Sequence, residues 1–330
     1  MNRTGSTTLF VLIISAVCLP ILAFAWQTLF IQAKLNSNRV DMIQGELNLE
    51  TEINRLVYNE AGINDKIIEI IKLYPDKFDN MEHNIPIAST LLENTSGKLS
   101  FENNKDDRPK YKLNISATYK GMDVSKNITG NIFNREIDDC DNGLVYSQNS
   151  SEEHINKVEE LLTIIPDSID TDFLPSAHSL VRTSNNNEIR ILAKPFGPSR
   201  LYLDNSNCNY VNIINNRVVL IVEKDGFNRN NVLIDCSGYS SVMLSGIIYI
   251  ENGDLSFKGK CNFQGIILIK DGEIKREAEE ISTITGKVVL NSFKDPREAV
   301  EINYGAGNYL KYAKYLSPLV DPEIVKIEIE

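Results

Sequence analysis

Hydrophobic and polar positions divide this chain into stretches of different period. From Thr4 to Ala33 no residue is charged, and Leu9 to Phe30 (LFVLIISAVCLPILAFAWQTLF) is almost wholly apolar. At the helical rise, roughly 20 such residues cross the hydrocarbon core of a bilayer. Beyond Lys34 the apolar positions thin to a stripe: Leu35, Met42, Leu49, Leu56, Ile63 and Ile70 recur every seven residues. Val40, Leu47, Ile53, Ile67 and Ile68 fill the same side, with Glu46, Glu50, Glu52, Arg55, Asp65, Lys66 and Glu69 opposite. This spacing predicts an amphipathic helix running to about Leu73, where Tyr74-Pro75-Asp76 closes it. Gly45 and Gly62 are the places where it can break. Joined to the apolar span it makes a rod on the order of 90 Å long.

Two fates are open for the apolar span. Ala23-Phe24-Ala25 before Trp26 fits a signal-peptidase site. Against cleavage, Trp26, Leu29, Phe30 and Ile31 continue the apolar run past that junction, and only Arg3 precedes it. A retained helix, kinked rather than ended by Pro20, is the favoured reading.

After Pro75 the period falls to two. Lys110 to Lys120 and Met122 to Asn134 alternate as strands joined across Lys120-Gly121, with Lys98 to Glu102 as a third. Ser150-Ser151-Glu152-Glu153 opens a helix whose apolar face is Ile155, Val158, Leu161, Leu162 and Ile165, and Pro166 is expected to end it. Then comes a repeat: Gly246-Ile-Ile-Tyr-Ile-Glu-Asn-Gly-Asp-Leu255 returns as Gly265-Ile-Ile-Leu-Ile-Lys-Asp-Gly-Glu-Ile274, offset by 19, with looser copies at Val219 to Gly226 and Gly286 to Leu290. Each unit reads as a short aliphatic strand, an Asn-Gly or Asp-Gly turn and another short strand. A small parallel β-solenoid and a pair of antiparallel hairpins both fit. The near-continuous Ile and Val runs favour the solenoid, since they suit strands covered on both faces. Asn303 to Leu316 reads as a Tyr-rich helix and Glu323 to Glu330 as a terminal strand.

The fold class this predicts is α+β and membrane-anchored, a long N-terminal helix followed by a β-rich body. Its organisation would be a cytosolic leader (1–8), a transmembrane helix (9–31), an amphipathic helical extension (32–75), a β-rich region (76–150), a helix and linker (151–187), β-solenoid-like repeats (188–294), and a C-terminal helix and strand (295–330).

Arg3-Thr4-Gly5-Ser6-Thr7-Thr8-Leu9 before the span, with Tyr58-Asn59-Glu60-Ala61-Gly62-Ile63-Asn64 some fifty residues on, resembles the N-termini of PilX-type minor pilins of type IV pilus systems. The resemblance covers about the first 75 residues, and the Gly-Ile-Ile stretches are similar to the C-terminal regions of that family. It implies a prepilin-peptidase cut between Gly5 and Ser6 that leaves the helix on the mature protein. It also implies membrane lipid and other pilin-like subunits as partners. Major pilins carry a glutamate at the fifth residue after the cut, where this chain has Phe10. That departure suits a subunit at a filament tip, or one that never polymerises, because no neighbour would have to neutralise a buried carboxylate.

Composition narrows the function further. The net charge of -11, from 34 basic and 45 acidic residues without a basic cluster, argues against nucleic acid as a partner. Cys18 lies in the span; Cys140, Cys208, Cys236 and Cys261 lie outside it with no C-x-x-C spacing, so disulfides among them and buried free thiols are both open. His83, His154 and His178 fall in no catalytic or HExxH arrangement, and no nucleophile elbow or phosphate loop occurs. The nearest approach to a metal site is Asp138-Asp139-Cys140-Asp141-Asn142-Gly143, with Asp139 and Asp141 as oxygen donors, but no closing glutamate follows and an acidic turn accounts for it better. No cofactor and no catalytic residue is expected. The expectation is a single-pass, pilin-like structural protein with an extracytoplasmic ectodomain. The alternative is a bitopic envelope protein whose ectodomain binds or cleaves extracellular polysaccharide.

Overall fold

The computed structural model describes residues 3–58, 62–73, 82–102, 109–138, 143–146, 151–169, 174, 178–184, 188–203, 210–224, 226, 228–292 and 294–329. The fold is α+β, with one long apolar N-terminal helix and a β-rich body. Helix α1 (Arg3–Tyr58) is unbroken through Pro20 and through Gly45. Helix α2 (Ile63–Leu73) follows, so the helices separate beside Gly62 and not at Gly45. The reason lies in packing. A Cβ on Gly45 would stand 3.1 Å from the Tyr119 Cβ and 3.2 Å from Val124 Cγ1, so the missing side chain is what lets α1 touch down on the body.

The surface it lands on is an antiparallel sheet. Its strands β1 (His83–Pro86), β2 (Glu93–Glu102), β3 (Lys110–Tyr119) and β4 (Met122–Phe133) run in sequence order. Lys120 and Gly121, both at positive φ, close the β3–β4 hairpin, the connection the alternation predicts. Tyr111, Leu113, Ile115 and Ala117 of β3 alternate inward beside Val124 and Ile128 of β4. Over them lie Leu49 and Ile53 of α1 and Ile63, Ile67 and Ile71 of α2. The amphipathic stripe therefore lies on its own sheet from Leu49 onward, while Leu35, Met42 and Leu47 remain exposed.

The remaining elements are α3 (Arg135–Asp138), β5 (Leu144–Tyr146), α4 (Glu152–Ser168), β6 (Ser179–Thr183), β7 (Glu188–Leu192), β8 (Ser199–Leu203), β9 (Tyr210–Ile213), β10 (Arg217–Val222), β11 (Asn230–Asp235), β12 (Val242–Lys258), β13 (Cys261–Asp271), β14 (Ile274–Arg276), β15 (Ser282–Leu290), β16 (Val300–Tyr304), α5 (Ala306–Ala313) and β17 (Val320–Ile329). Ser151 caps α4, its hydroxyl accepting from the His154 N–H at 3.3 Å. Pro166 does not end that helix, which continues to Ser168. A proline in a helix strands the carbonyl four residues earlier. Here that carbonyl, on Leu162, accepts from the Tyr249 hydroxyl at 3.0 Å.

The repeat stacks in parallel. In one layer β6, β10, β12, β13 and β15 pair side by side, and β16 and β5 share the outer edge of β15. In a second layer β7, β11, the far half of β12 and β14 pair in parallel, and β8 and β9 extend the sheet antiparallel. Asn252-Gly253 is not a hairpin turn: β12 continues through it as one strand that bends there, pairing with β10 before the bend and with β11 after it. The parallel stacking begins at Ser179 and reaches Tyr304, and it takes in β5 from the region ahead of α4.

Two cores result. Val218, Leu220, Ile248, Ile250, Ile267, Ile269, Val288 and Leu290 point between the two layers. Their neighbours Val219, Ile221, Ile247, Tyr249, Ile266, Leu268 and Val289 point the other way, into a core shared with α4, α5 and the antiparallel sheet. This explains the aliphatic runs: both faces of that layer are covered. Strand β17 returns to pair with β4, so the second core also binds the end of the described chain to its middle. The Tyr-rich segment contributes α5 only from Ala306, because Asn303 and Tyr304 belong to β16; Tyr309, Tyr312 and Tyr315 are buried on the body.

Glycines stack where the first layer bends. Gly246, Gly265 and Gly286 are in register, and a Cβ on Gly265 would lie 1.9 Å from the Gly246 carbonyl oxygen. With φ at +146° there as well, Gly265→Ala is expected to destabilise the body by roughly 3 kcal/mol or more, from backbone strain and overpacking together. Thermal unfolding of the detergent-solubilised chain measures it, and Gly238→Ala, which faces open space without a positive φ, should have a far smaller effect.

Candidate functional site: an exposed apolar helix and a polar sheet face

Two surfaces stand out, one apolar and one polar. Along α1 the side chains from Leu9 to Ile31 are almost all exposed, Trp26 at 75 % and Phe10 at 65 %. Among the described residues this is the one helix long and apolar enough to cross a membrane. Its polar Thr28 returns its hydroxyl to the Phe24 carbonyl at 2.9 Å, which satisfies the group within the helix.

Where α1 meets the sheet, apolar contact gives way to buried polar coupling. Glu52 is 2 % exposed. Its carboxylate accepts from Ser89 Oγ at 3.0 Å, from the Thr90 amide at 3.3 Å and from Arg55 Nε at 2.8 Å. Arg55 also donates to the Ala88 carbonyl at 2.6 Å. Lys126, buried on β4, reaches Glu50 at 3.1 Å, and Lys120 of the hairpin reaches Asp41 at 2.7 Å. A buried carboxylate with every oxygen engaged fixes direction as well as position. The segment 41–55 is thus a collar that sets the rod against the body.

The second surface is the outward face of the second layer. Strand register aligns Tyr210, Tyr202, Arg190, Leu233, Ser256 and Lys275 in one row across six strands, beside a shorter row of Glu188, Asn231 and Asp254. Between them lies an open trough of about 330 Å³ lined by Arg190, Asn231, Asp254, Ser256 and Lys275. At one end Arg200 lies over the Tyr210 ring at 4.5 Å, with Tyr202 tilted against it at 5.7 Å. At the other, Asp254 accepts from Lys275 at 2.6 Å, from Arg229 at 3.0 Å and from the Glu273 amide at 3.0 Å. Asp235, deeper in, accepts from both the hydroxyl and the amide of Ser237 at 2.6 and 3.0 Å and pairs with Arg190. Burial pushes both carboxyls up, but these hydrogen bonds and cations outweigh it and hold them below the usual range.

The sequence-nominated residues are dispersed. His154 contacts Glu136 at 3.0 Å on α4, His178 packs edge-on against Tyr312, and His83 lies near Phe101, three separate places. Gly5 and Ser6 lie in α1. Asp139, Asp141, Cys140 and Cys208 lie outside the described residues. Cys18 is exposed on the span, whereas Cys236 and Cys261 are fully buried. Among the described residues no group of three or more His, Cys, Asp or Glu side chains is placed to hold a metal ion. The trough was not visible in the sequence, because its acids and bases come from strands spread over some ninety residues and alternate with the core. No family model, curated protein or solved structure matches this chain.

Asp235 supplies a test of the face's electrostatics. Its folded carboxyl titrates below the unfolded one, so its contribution is present above the ordinary aspartate range and lost as pH falls through the lower, folded value. Asp235→Asn should lower stability at neutral pH by about 1–3 kcal/mol, with the gap from the unaltered chain closing below about pH 4. Melting curves across pH measure both.

Proposed function

We propose that this chain is a pilin-like structural protein of a type IV pilus or related envelope assembly system, held in the bilayer by α1 with its β body exported. The observation that carries this reading is the continuity of α1: a bare apolar span of membrane length passes without a break into a segment locked to the body by Leu49, Ile53 and the Glu52 network. A secretory leader has no need of such a junction, whereas a tether that must hold a body at a fixed angle does. The Arg3-to-Leu9 and Tyr58-to-Asn64 resemblances support the same assignment. Phe10, in place of a glutamate, favours a minor or terminal position over a repeating one. The parallel two-layer stack is read as a short β-solenoid that serves as a rigid display surface.

The mature N-terminus tests it. Mass spectrometry of the native membrane protein is expected to find a chain beginning at Ser6. A chain beginning at Trp26 and free of lipid would overturn the reading, because the tether would be gone.

A second reading, a bitopic envelope protein that binds extracellular polysaccharide, is favoured by the charged trough and by Tyr202 and Tyr210 further along the same face, groups suited to the hydroxyls and flat faces of sugar rings. It predicts that the full chain in detergent sediments with insoluble cell-wall polysaccharide. Lys275→Ala with Asp254→Asn should weaken that binding about tenfold, the equivalent of one or two lost hydrogen bonds. No sedimentation of the unaltered chain would dismiss it.

A further inference from the structure

The interior of the parallel stack holds two cysteines that neither surface uses. Cys236 follows directly on the last residue of β11, and its amide donates to the Lys258 carbonyl at 2.7 Å. Cys261 opens β13, and its amide donates to the Ser282 hydroxyl at 3.1 Å. Asp235 is in register with Lys258, and Val242 with Cys261. The two cysteines therefore occupy the same corner of consecutive coils, where the chain leaves the second layer for the first. The backbone there is tight: a Cβ on Gly259 would lie 2.7 Å from the Ser237 nitrogen and 2.8 Å from the Cys236 carbonyl carbon. Both are free thiols in this structure, and both side chains are fully buried in the same apolar cluster.

We propose that Cys236 and Cys261 form a structural disulfide that clamps adjacent coils of the stack at this corner. The inference rests on the exported location proposed above, since a cystine persists in an oxidising compartment. In the reduced chain the neighbouring Cys236 thiol, together with burial, holds the Cys261 thiol well above its usual range, so the folded corner is both unreactive and closed to reagents. Oxidation therefore belongs to folding, before the corner closes. One cysteine thiolate attacks the disulfide of a dithiol–disulfide exchange protein and forms a mixed disulfide; the second thiolate then displaces it. Two protein S–H bonds are lost and one S–S bond forms, while the oxidant leaves as its dithiol carrying the two electrons and two protons. The bond closes a loop containing β12, the strand that serves both layers, so it constrains the unfolded chain where the stack must nucleate.

The test uses the full-length protein from its native membrane. It is denatured in the presence of N-ethylmaleimide without reductant, digested and mapped by mass spectrometry. The expected product is one cross-linked peptide pair containing Cys236 and Cys261, lighter by two hydrogens than the separate peptides, with no maleimide on either residue. A parallel sample is reduced, unfolded and refolded in a glutathione redox buffer. If the link forms there but the native sample carries maleimide at both positions, the pairing stands and the exported location falls. Maleimide on both residues in both samples, or a link from either one to Cys140 or Cys208, overturns the pairing itself.

Discussion

The body depends on one constraint: each coil of the parallel stack completes its backbone hydrogen bonds only through the coil next to it, in register. A hairpin can satisfy its amides locally, but a parallel strand cannot. Register must therefore be carried round every corner, and the chain does this by leaving out side chains where the backbones approach most closely. Gly246, Gly265 and Gly286 sit one above another at the first bend, and Gly253 and Gly272 repeat the arrangement at the second, where a Cβ on Gly272 would fall 1.7 Å from the Gly253 carbonyl oxygen. The aliphatic runs then fill both sides of one layer, and the covering helices and the antiparallel sheet follow from the need to bury the outward half.

The rod obeys a different rule. Its first part is apolar on every side and touches nothing in the body; its later part is apolar on one face and is seated on β3 and β4. The change occurs near Gly45, where hydrocarbon contact is joined by a buried carboxylate, a buried lysine and an arginine. Apolar packing alone would allow the helix to slide or roll on the sheet. The directional bonds of Glu52 to Ser89 and Thr90 prevent that, and so fix the direction of α1 relative to the sheet it lies on.

Much of this was legible from spacing. The apolar span, the β3–β4 hairpin, the cap at Ser151 and the in-register repeat of 19 all appear as patterns of residue type, because each is a local consequence of period or turn chemistry. What stayed hidden was set by distant partners. Pro166 looks like a helix end until Tyr249 is seen to satisfy the carbonyl it strands. Asn252-Gly253 looks like a hairpin turn, since the dipeptide accepts both a turn and a bend, and only the neighbouring coil decides between them. The trough face was invisible for the same reason: its charges are single residues on separate strands, assembled by register and not by sequence.

The pairing of β17 with β4 has a consequence for how the molecule is made. Phe133 meets Val320, a partner roughly 190 residues further along, so the antiparallel sheet closes by one of the longest-range contacts available to the chain. During vectorial synthesis the landing platform for the rod must wait, its β4 edge unpaired and prone to wrong pairing, until the whole stack has emerged behind it. The stack can assemble coil by coil in the meantime. The last strand then acts as a latch, and the rod gains its finished seat only once the body is complete.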